Sequence, residues 1–213
     1  MSKKHPIISV TGSSGAGTTT VKTTFDQIFR REGFKSVSIE GDAFHRFDRA
    51  AMKDELTKRK AAGDQTFSHF SYEANELGKL EEVFRTYAET GCGETRHYVH
   101  DDAEAAKYGS APGTFTDWAP FAEGSDVLFY EGLHGAVKNS EVNLSALADL
   151  KIGVVPVINL EWIQKIHRDK AQRGYSTEAV TDVILRRMHA YVHCITPQFT
   201  ETDINFQRVP VVD

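Results

Sequence analysis

The chain has 213 residues, of which 40% are hydrophobic and 26% charged, so it can bury one sizeable core. Its net charge of −5 at pH 7 disfavours a nucleic-acid binder. No apolar run approaches the length of a membrane span, and the opening MSKKH is too short and too polar for a signal peptide. These features predict a single cytoplasmic domain over residues 1–213 that does not bind a membrane.

The two cysteines also bear on the class of protein. Cys92 and Cys194 lie far apart, without the spacing of a zinc site or a disulfide framework. They fit a reducing compartment, and we expect both to be ordinary small apolar residues.

A short strand, a glycine-rich loop and a helix open the chain. PIISVT (6–11) is an apolar run, TGSSGAGTTT (11–20) is rich in glycine, and apolar residues recur at helical spacing over 19–31. Gly33 is a plausible end for this helix. A glycine loop between a strand and a helix N-terminus is a common phosphate-binding arrangement.

The loop nearly matches the phosphate-binding pattern G-x-x-x-x-G-K-[ST]. In that pattern the glycines let backbone N–H groups surround phosphates, the lysine reaches the terminal phosphates and the hydroxyl serves Mg²⁺. Thr19 matches the hydroxyl position, but Thr18 stands at the lysine position. Either the loop does not bind a nucleotide or the missing charge comes from elsewhere in the chain. The predicted nucleotide-binding residues are Gly12, Ser13, Ser14, Gly15, Ala16, Gly17, Thr18, Thr19 and Thr20.

A second strand, SVSIEGD (36–42), ends in an acid that cations follow. Asp42 would project into the crevice beyond the strand ends, with His45, Arg46 and Arg49 behind it. A carboxylate there can accept the proton of an attacking hydroxyl, while the cations hold an anionic group of the substrate. The alternative is a solvated loop that happens to be charged.

The middle of the chain predicts one more helix and two buried strands. Apolar residues over 77–87 mark an amphipathic helix that ends near Gly91. DVLFYEG (126–132) and KIGVVPVIN (151–159) hardly alternate in polarity, which is typical of strands buried on both faces, although Pro156 is awkward in a central strand. This order predicts an α/β fold of three layers with a mostly parallel central sheet. Glu131 ends the first of these strands and is a candidate Mg²⁺ carboxylate.

A charged helix is predicted next, with Asn159 as its N-cap and Gly174 as its end. Lys165, Asp169 and Arg173 would share one face with Arg168 beside them, opposite an apolar face that includes Trp162, Ile163 and Ile166. Basic side chains near bound phosphates would supply the charge that the loop lacks. The alternative is a solvated face with ordinary i,i+4 ion pairs.

Two adjacent arginines lie in the following helical pattern. Arg186 and Arg187 are candidates for a mobile lid over a nucleotide or for an allosteric site. Surface charge or subunit contacts would explain them equally well.

Together these segments resemble bacterial-type phosphoribulokinases, which are P-loop kinases related to uridine kinase. The motifs are GSSGAGTTT, GDAFHR, RHYVHDD, YEGLHG and KIHRDKAQRG, in this order along nearly the whole chain. The resemblance implies an adenylate-kinase-like P-loop kinase fold and ATP with Mg²⁺ as phosphate donor. It also implies phosphorylation of D-ribulose 5-phosphate at O1 to ribulose 1,5-bisphosphate in the carbon fixation of the Calvin cycle.

The resemblance also implies a role for each matching residue. Asp42 would be the catalytic base, and Lys165 and Arg168 would stabilise charge in the transition state. Glu131 and Asp169 would serve the metal and the transferred phosphoryl group. The residues implied to bind the sugar phosphate are His45, Arg49, Tyr98, His100 and Arg173.

Regulation and assembly follow from the same resemblance. Enzymes of this type are typically homo-oligomers, activated by NADH and inhibited by AMP. Ala16 stands where plant relatives have a regulatory cysteine, so thioredoxin control is not expected. The family usually continues beyond a segment such as the final VPVVD.

Other functions are also compatible with the motifs. One is another small-molecule kinase, of the uridine or pantothenate type. The other is a nucleotide-binding regulatory module without turnover. The basic residues after the second strand favour a substrate that already carries an anion, and Asp42 favours catalysis over sensing.

Overall fold

The computed structural model describes residues 4–121 and 123–209, without the side chains of residues 172, 173 and 208. The final residues 210–213, most of the strand-like VPVVD, lie outside the described part. The strands are β1 Ile7–Thr11, β2 Ser36–Glu40, β3 Glu94–Thr95, β4 Ala119–Pro120, β5 Val127–Gly132, β6 Leu150–Pro156 and β7 Ile204–Arg208. The helices are α1 Thr18–Glu32, α2 Arg49–Ala61, α3 Leu77–Thr90, α4 Asp102–Tyr108, α5 Ile158–Arg173 and α6 Thr177–Ala190.

Five strands form one sheet in the order β2-β5-β1-β6-β7, and all of its described pairings are parallel. From the central strand β1 the chain first builds one side of the sheet, with β2 and β5, and then the other, with β6 and β7. The loop after β1 therefore lies at the point where the strand order reverses, which is where ligands bind in open α/β sheets.

Apolar side chains cover both faces of this sheet. On one face Leu128 and Tyr130 of β5 pack with the buried side of α3. On the other face Phe129 of β5 packs against Phe25 and Phe29 of α1. Consecutive residues of one strand thus enter opposite cores, as the period of two requires. The predicted three-layer α/β architecture with a mostly parallel sheet is confirmed.

The ends of several predicted elements differ from the structure by one to three residues. Strand β2 ends at Glu40, so Asp42 lies in a 3₁₀ turn, Gly41–Phe44. Helix α5 begins at Ile158 with Val157 at its N-cap, so the prediction that Asn159 caps this helix was wrong. Pro156 is the last residue of β6 and pairs only with the edge strand β7, because the pairing with β1 ends at Gly153. A proline costs little there, since the ladder towards β1 has already ended.

The structure also tests the expectations about the two cysteines and about membrane spans. Cys92 is exposed and Cys194 is half-buried, and both are free thiols, as expected of cysteines outside a disulfide framework. Within residues 4–121 and 123–209, no helix combines the length and the apolar character needed to cross a bilayer.

Two glycines bring the ends of β2 and β5 into contact. A Cβ atom on Gly132 would lie 2.6 Å from the Cα of Gly41, and one on Gly41 would lie 2.7 Å from the Cα of Gly132. The close backbone approach leaves no space for a side chain. Because Asp42 follows Gly41 and Glu131 precedes Gly132, this contact fixes the distance between the two acidic residues.

We expect Gly132→Ala to lower the free energy of unfolding by about 1–3 kcal/mol, because the new methyl group meets backbone atoms that cannot rotate away. It should also reduce catalytic activity by displacing Asp42 from Glu131. Urea unfolding at equilibrium measures the first effect and steady-state kinetics the second.

Gly78→Ala is the matched control for this substitution. Gly78 is exposed near the start of α3, where an added Cβ meets nothing within 4 Å. The control should be neutral or stabilise the helix by up to about 1 kcal/mol. Equal effects of the two alanines would contradict the idea that the glycine contact sets the geometry.

Candidate active site

The glycine loop joins β1 to α1 and has the conformation that a phosphate-binding loop needs. Gly15 and Gly17 have φ values of 105° and 102°, in the left-handed region that favours glycine. The amide of Gly12 donates to the carbonyl of Gly132 at 3.1 Å, which ties the loop to the end of β5. Helix α1 starts without a side-chain cap and without an acid in its first turn. Its first amides are therefore suited to an external anion.

Thr18, at the position of the usual lysine, interacts with the proposed Mg²⁺ carboxylate. Burial raises the pKa of Glu131, and nearby Asp42 raises it further, whereas a hydrogen bond from the Thr18 hydroxyl lowers it. Thr18 is buried, whereas Thr19 is exposed at the start of α1. The threonine thus favours the ionised form of the carboxylate that a metal would need.

A lysine that the sequence analysis did not single out lies near the same carboxylates. Lys22 is one turn after Thr18 on α1, and its ammonium lies 2.5 Å from the carboxylate of Glu40. Glu40 and Glu131 are paired neighbours on β2 and β5. Lys22 also attracts Glu131 electrostatically. It therefore offsets part of the negative charge at these strand ends.

The residues around Asp42 converge as the sequence predicts. The Nε2 atom of His45 lies 3.3 Å from one carboxylate oxygen of Asp42, and that of His100 lies 3.4 Å from the other. Arg49 donates to the carbonyl of His100 at 2.8 Å and forms a hydrogen bond with the Tyr98 hydroxyl. The Asp42 side chain is 41% exposed and is therefore accessible to a substrate. We call these five residues the Asp42 cluster.

Arg96 holds the loop that carries Asp42 and His45. Its guanidinium donates to the carbonyls of Ala43 and His45, each at 2.8 Å. The same group lies 3.7 Å from the ring centre of Phe115 and 4.8 Å from that of Trp118. Burial lowers the pKa of Arg96. The sequence analysis missed this residue because its partners are backbone atoms more than fifty positions away.

A second charged group, the α5 cluster, comprises Lys165, Arg168 and Asp169. The ammonium of Lys165 lies 2.6 Å from one oxygen of Asp169, and Arg168 contacts the other oxygen at 2.9 Å. Arg168 also donates to the hydroxyl of Ser14 in the glycine loop at 3.0 Å. The predicted set of basic residues therefore does lie beside the loop.

The predicted apolar and charged faces of α5 are partly exchanged. Lys165 and Asp169 are only 6% and 3% exposed, whereas Ile163 is 53% exposed. The alternative of a solvated, charged face was therefore wrong for this pair. An ion pair is costly to bury unless its geometry is good and its remaining hydrogen bonds are made.

The buried pair has shifted pKa values. Burial lowers the pKa of Lys165 to about 8, against the effect of Asp169, and Arg187 and Arg168 lower it further. Burial alone would raise the pKa of Asp169, but Lys165 and Arg168 hold it below its ordinary value. Such opposing shifts are typical of functional sites, although structural ion pairs also have them.

The two clusters meet at His69, a residue that the sequence analysis did not identify. The ring of His69 stacks on that of His45 with 4.9 Å between centres. Burial lowers the pKa of His69 well below its ordinary value, and the charges of His45, Arg187 and Lys165 lower it further. His69 is therefore neutral and lies within electrostatic reach of both clusters.

The arginines of α6 have different positions. Arg187 lines a small cavity with Ser14, Lys165 and Phe70, and its guanidinium lies 5.1 Å from the Phe70 ring centre. Arg186 points to Asp182 at 3.9 Å, in an exposed i,i+4 pair. Arg187 is therefore next to the candidate site, and Arg186 is a surface residue. Arg173 is the last residue of α5, and its side chain lies outside the described structure.

Oxygen ligands are present for Mg²⁺, but they do not form a closed cage. Glu131, Asp169 and the hydroxyl of Thr19 are the predicted ligands, and hard oxygen donors suit this cation. Among the described residues, no three His, Cys, Asp or Glu side chains converge to hold a metal. Mg²⁺ is usually held by one or two carboxylates together with substrate phosphates, so this open donor set fits it.

His134, in the motif YEGLHG, lies in the interior. It is 2% exposed, packs against Tyr72, and faces the amide of Gln198 at 3.4 Å. Burial lowers the pKa of His134 to about 3, and the charge of His45 acts in the same direction. The same Gln198 side chain bonds the carbonyl of Leu133 and the amide of Ala136. His134 therefore supports the turn after β5 as a neutral residue.

The sequence is similar to members of one known kinase family. A model of the phosphoribulokinase / uridine kinase family matches residues 7–213. Phosphoribulokinase 1 of Cereibacter sphaeroides is 81% identical over 213 residues, which are all of this chain and 73% of the relative. The phosphoribulokinase of Nitrobacter vulgaris is 67% identical over the same shares.

Solved structures agree with these sequence matches. The phosphoribulokinase from Rhodobacter spheroides superposes with a TM-score of 0.87 at 76% identity, over all of this chain and 73% of that one. A possible uridine kinase from Bacillus stearothermophilus has a TM-score of 0.59 at 15% identity, over 97% of this chain and 90% of that one. At that identity the second likeness concerns the fold alone. The P-loop kinase fold implied by the motifs is thus confirmed.

His134 gives a prediction about acid stability. The unfolded chain binds a proton at this residue below about pH 6.5, whereas the native protein does so only near pH 3. Stability is therefore lost as the pH falls through this window, by at most about 1.4 kcal/mol per pH unit for one proton. We expect His134→Gln to reduce this slope in denaturant unfolding measured from pH 7 to pH 4. An unchanged slope would mean that His134 is protonated in the native protein.

Proposed function

The chain belongs to the phosphoribulokinase / uridine kinase family, and on this basis we propose that it transfers the γ-phosphoryl group of ATP to O1 of D-ribulose 5-phosphate. The product is ribulose 1,5-bisphosphate, for carbon fixation in the Calvin cycle. The observation that carries the proposal is an accessible carboxylate, Asp42, held among anion-binding side chains next to a phosphate-binding loop.

Asp42 is the general base of this reaction. The Nε2 atoms of His45 and His100 lie beside its two carboxylate oxygens. An ionised carboxylate accepts the proton of the attacking hydroxyl without first losing one of its own. Its position in a short turn anchored by Arg96 keeps it in one place relative to the loop.

The cationic and polar members of the Asp42 cluster bind the sugar phosphate. Arg49 begins α2, whose N-cap Asp48 accepts from the amide of Ala51 at 2.8 Å, so the helix start is well defined. Tyr98 and His100 reach the same place from a segment that Arg49 itself holds. Arg173 completes this set by its position at the end of α5.

The α5 cluster acts on the transferred phosphoryl group. Lys165 and Arg168 stabilise its charge, and Arg168 is already bonded to Ser14 of the loop. Lys165 supplies the positive charge that Thr18 cannot supply, and burial makes a charge contact stronger than it would be in water. Glu131, Thr19 and Asp169 would hold Mg²⁺. When bound with ATP, this ion supplies further neutralisation of phosphate charge.

Assembly and regulation are part of the proposal. We propose a single-domain kinase that acts in the cytoplasm as a homo-oligomer, activated by NADH and inhibited by AMP, with Arg186 and Arg187 as candidate lid or allosteric residues. The exposed apolar side chains Leu185 and Val192, on and just after α6, support a subunit contact near these arginines.

A substrate comparison tests the reaction. With ATP and Mg²⁺, ribulose 5-phosphate should support rapid ADP release, whereas uridine and pantothenate should not, because neither carries a phosphate group for the basic side chains around Asp42. Chelation of Mg²⁺ should stop turnover. Comparable turnover of uridine would contradict the assignment, and ATP binding without turnover of any substrate would favour a regulatory module.

Two substitutions separate the base from the phosphate-binding residues. We expect Asp42→Asn to lower kcat by roughly 10²–10⁴-fold with little change in KM, because the proton moves only in the transition state. Arg49→Ala should raise KM for ribulose 5-phosphate more than it lowers kcat, since a phosphate contact also exists in the ground state. Steady-state kinetics with equilibrium ATP binding measures both.

Asp182→Asn is the control for the loss of a carboxylate charge. Asp182 is exposed on α6 and pairs only weakly with Arg186, so this variant should keep wild-type kinetics. If Asp42→Asn kept more than about a tenth of wild-type kcat, well above the general-base range, Asp169 would become the candidate base.

A further inference from the structure

The side chain of Asn75 has a fixed orientation beside the Asp42 cluster. Its Nδ2 atom donates to the carbonyl of His69 at 3.0 Å and to the carbonyl of Ser71 at 2.8 Å. Both partners are acceptors only, so the NH₂ group and not the oxygen must face them. The backbone holds Asn75 in place as well, through the bridge between His45 and Asn75.

The oxygen of the Asn75 side-chain amide faces His45. Asn75 Oδ1 lies 3.0 Å from Nδ1 of His45. Because the amide cannot turn round without pointing its oxygen at two carbonyls, Oδ1 is the acceptor of this bond. The Nδ1 atom of His45 must therefore carry a proton.

The other ring nitrogen of His45 faces a carboxylate. Nε2 lies 3.3 Å from Asp42, and an ionised carboxylate is an acceptor only. With Nδ1 protonated, a neutral ring would point the lone pair of Nε2 at this anion. A ring protonated on both nitrogens satisfies Asn75 and Asp42 together.

We propose that Asn75 is a positioning residue that keeps His45 protonated on Nδ1 and thereby keeps its ring cationic beside Asp42. Without the Asn75 acceptor, a neutral His45 would simply donate from Nε2 to Asp42 and leave Nδ1 bare. The amide therefore decides whether His45 offers a positive charge to the anionic substrate.

The rings that surround His45 are neutral, so they do not compete with it for a proton. The ring of His69 stacks on it, and Tyr98 lies at 6.4 Å between ring centres. Burial first, and then the charge of His45, keeps the pKa of His69 and His134 low. These two histidines are neutral neighbours, and Asp42, which His100 also faces, is the acid that His45 contacts.

The protonation state can be read directly by NMR, without substrate. In full-length protein with ¹⁵N-labelled histidine, long-range ¹H–¹⁵N correlation distinguishes protonated from bare ring nitrogens, and His45→Gln assigns the signals. We expect both ring nitrogens of His45 to be protonated in the wild type. We expect a bare Nδ1 in Asn75→Leu. A bare Nδ1 or a bare Nε2 in the wild type would overturn the proposal.

Kinetics then test whether Asn75 acts through His45. The kinetic test rests on the proposed role of His45 in binding the sugar phosphate, whereas the NMR test does not. Failure of the proposed function can therefore be distinguished from failure of the proposal about Asn75. Asn75→Leu should raise KM for ribulose 5-phosphate on the order of tenfold, the effect of one lost hydrogen bond to a charged group, with a smaller change in kcat.

A double-mutant cycle and a loop control complete the test. In the His45→Gln background, Asn75→Leu should change KM by less than about twofold, because residues that act together are not additive. Ser71→Ala removes only the hydroxyl that accepts from the amide of Ser68 in the same loop, and it should leave KM near wild type. Additive effects in the cycle, or an equal rise in KM for Ser71→Ala, would show that Asn75 merely supports the loop and would overturn the proposal.

Discussion

The backbone contact between Gly41 and Gly132 is the constraint on which the site depends. Parallel strands end at the same edge of a sheet, but only the absence of side chains lets β2 and β5 approach so closely there. The amide of Gly12 joins the same point through the carbonyl of Gly132. The proposed base, the proposed metal carboxylate and the glycine loop are thus positioned by main-chain atoms, which are far stiffer than side chains.

Charged side chains near the glycine loop are paired with one another. Cations offset the carboxylates on both sides of the loop: Lys22 of α1 contacts Glu40 at the end of β2, and Lys165 contacts Asp169 within α5. A loop lysine would join one such charge to the phosphate loop itself. Here Thr18 bonds Glu131 instead, and the cations approach from helices on either side. The charge that binds phosphate is therefore distributed over several elements of the fold.

Local patterns in the sequence were sufficient for the layered fold, the loop and the residues just after β2, because strand periodicity and strand-end residues are local signals. Tyr98 and His100 came only from the resemblance to a known family. Local patterns failed where the deciding partners are distant in sequence. Arg96 binds backbone atoms of another segment, and Asn75 binds the imidazole of His45, thirty positions away. The pattern of α5 does not reveal that its charged face is the buried one. Helix α2 is largely polar and buries only Met52, so it shows no apolar face in the sequence. Strands β3 and β4 have two residues each, which is too short for a detectable pattern.

Helix α5 buries Lys165 and Asp169 and exposes Ile163. This arrangement affects how the protein can be engineered and how its sequence can change in evolution. Exchanging a buried ion pair for apolar residues of similar volume is often neutral or stabilising. Selection for folding alone would therefore tolerate hydrophobic residues at positions 165 and 169, to which we assign a role in phosphoryl transfer. Designs that optimise thermostability alone would remove the two charges on which the proposed reaction depends. Selection for turnover is what we expect to retain them.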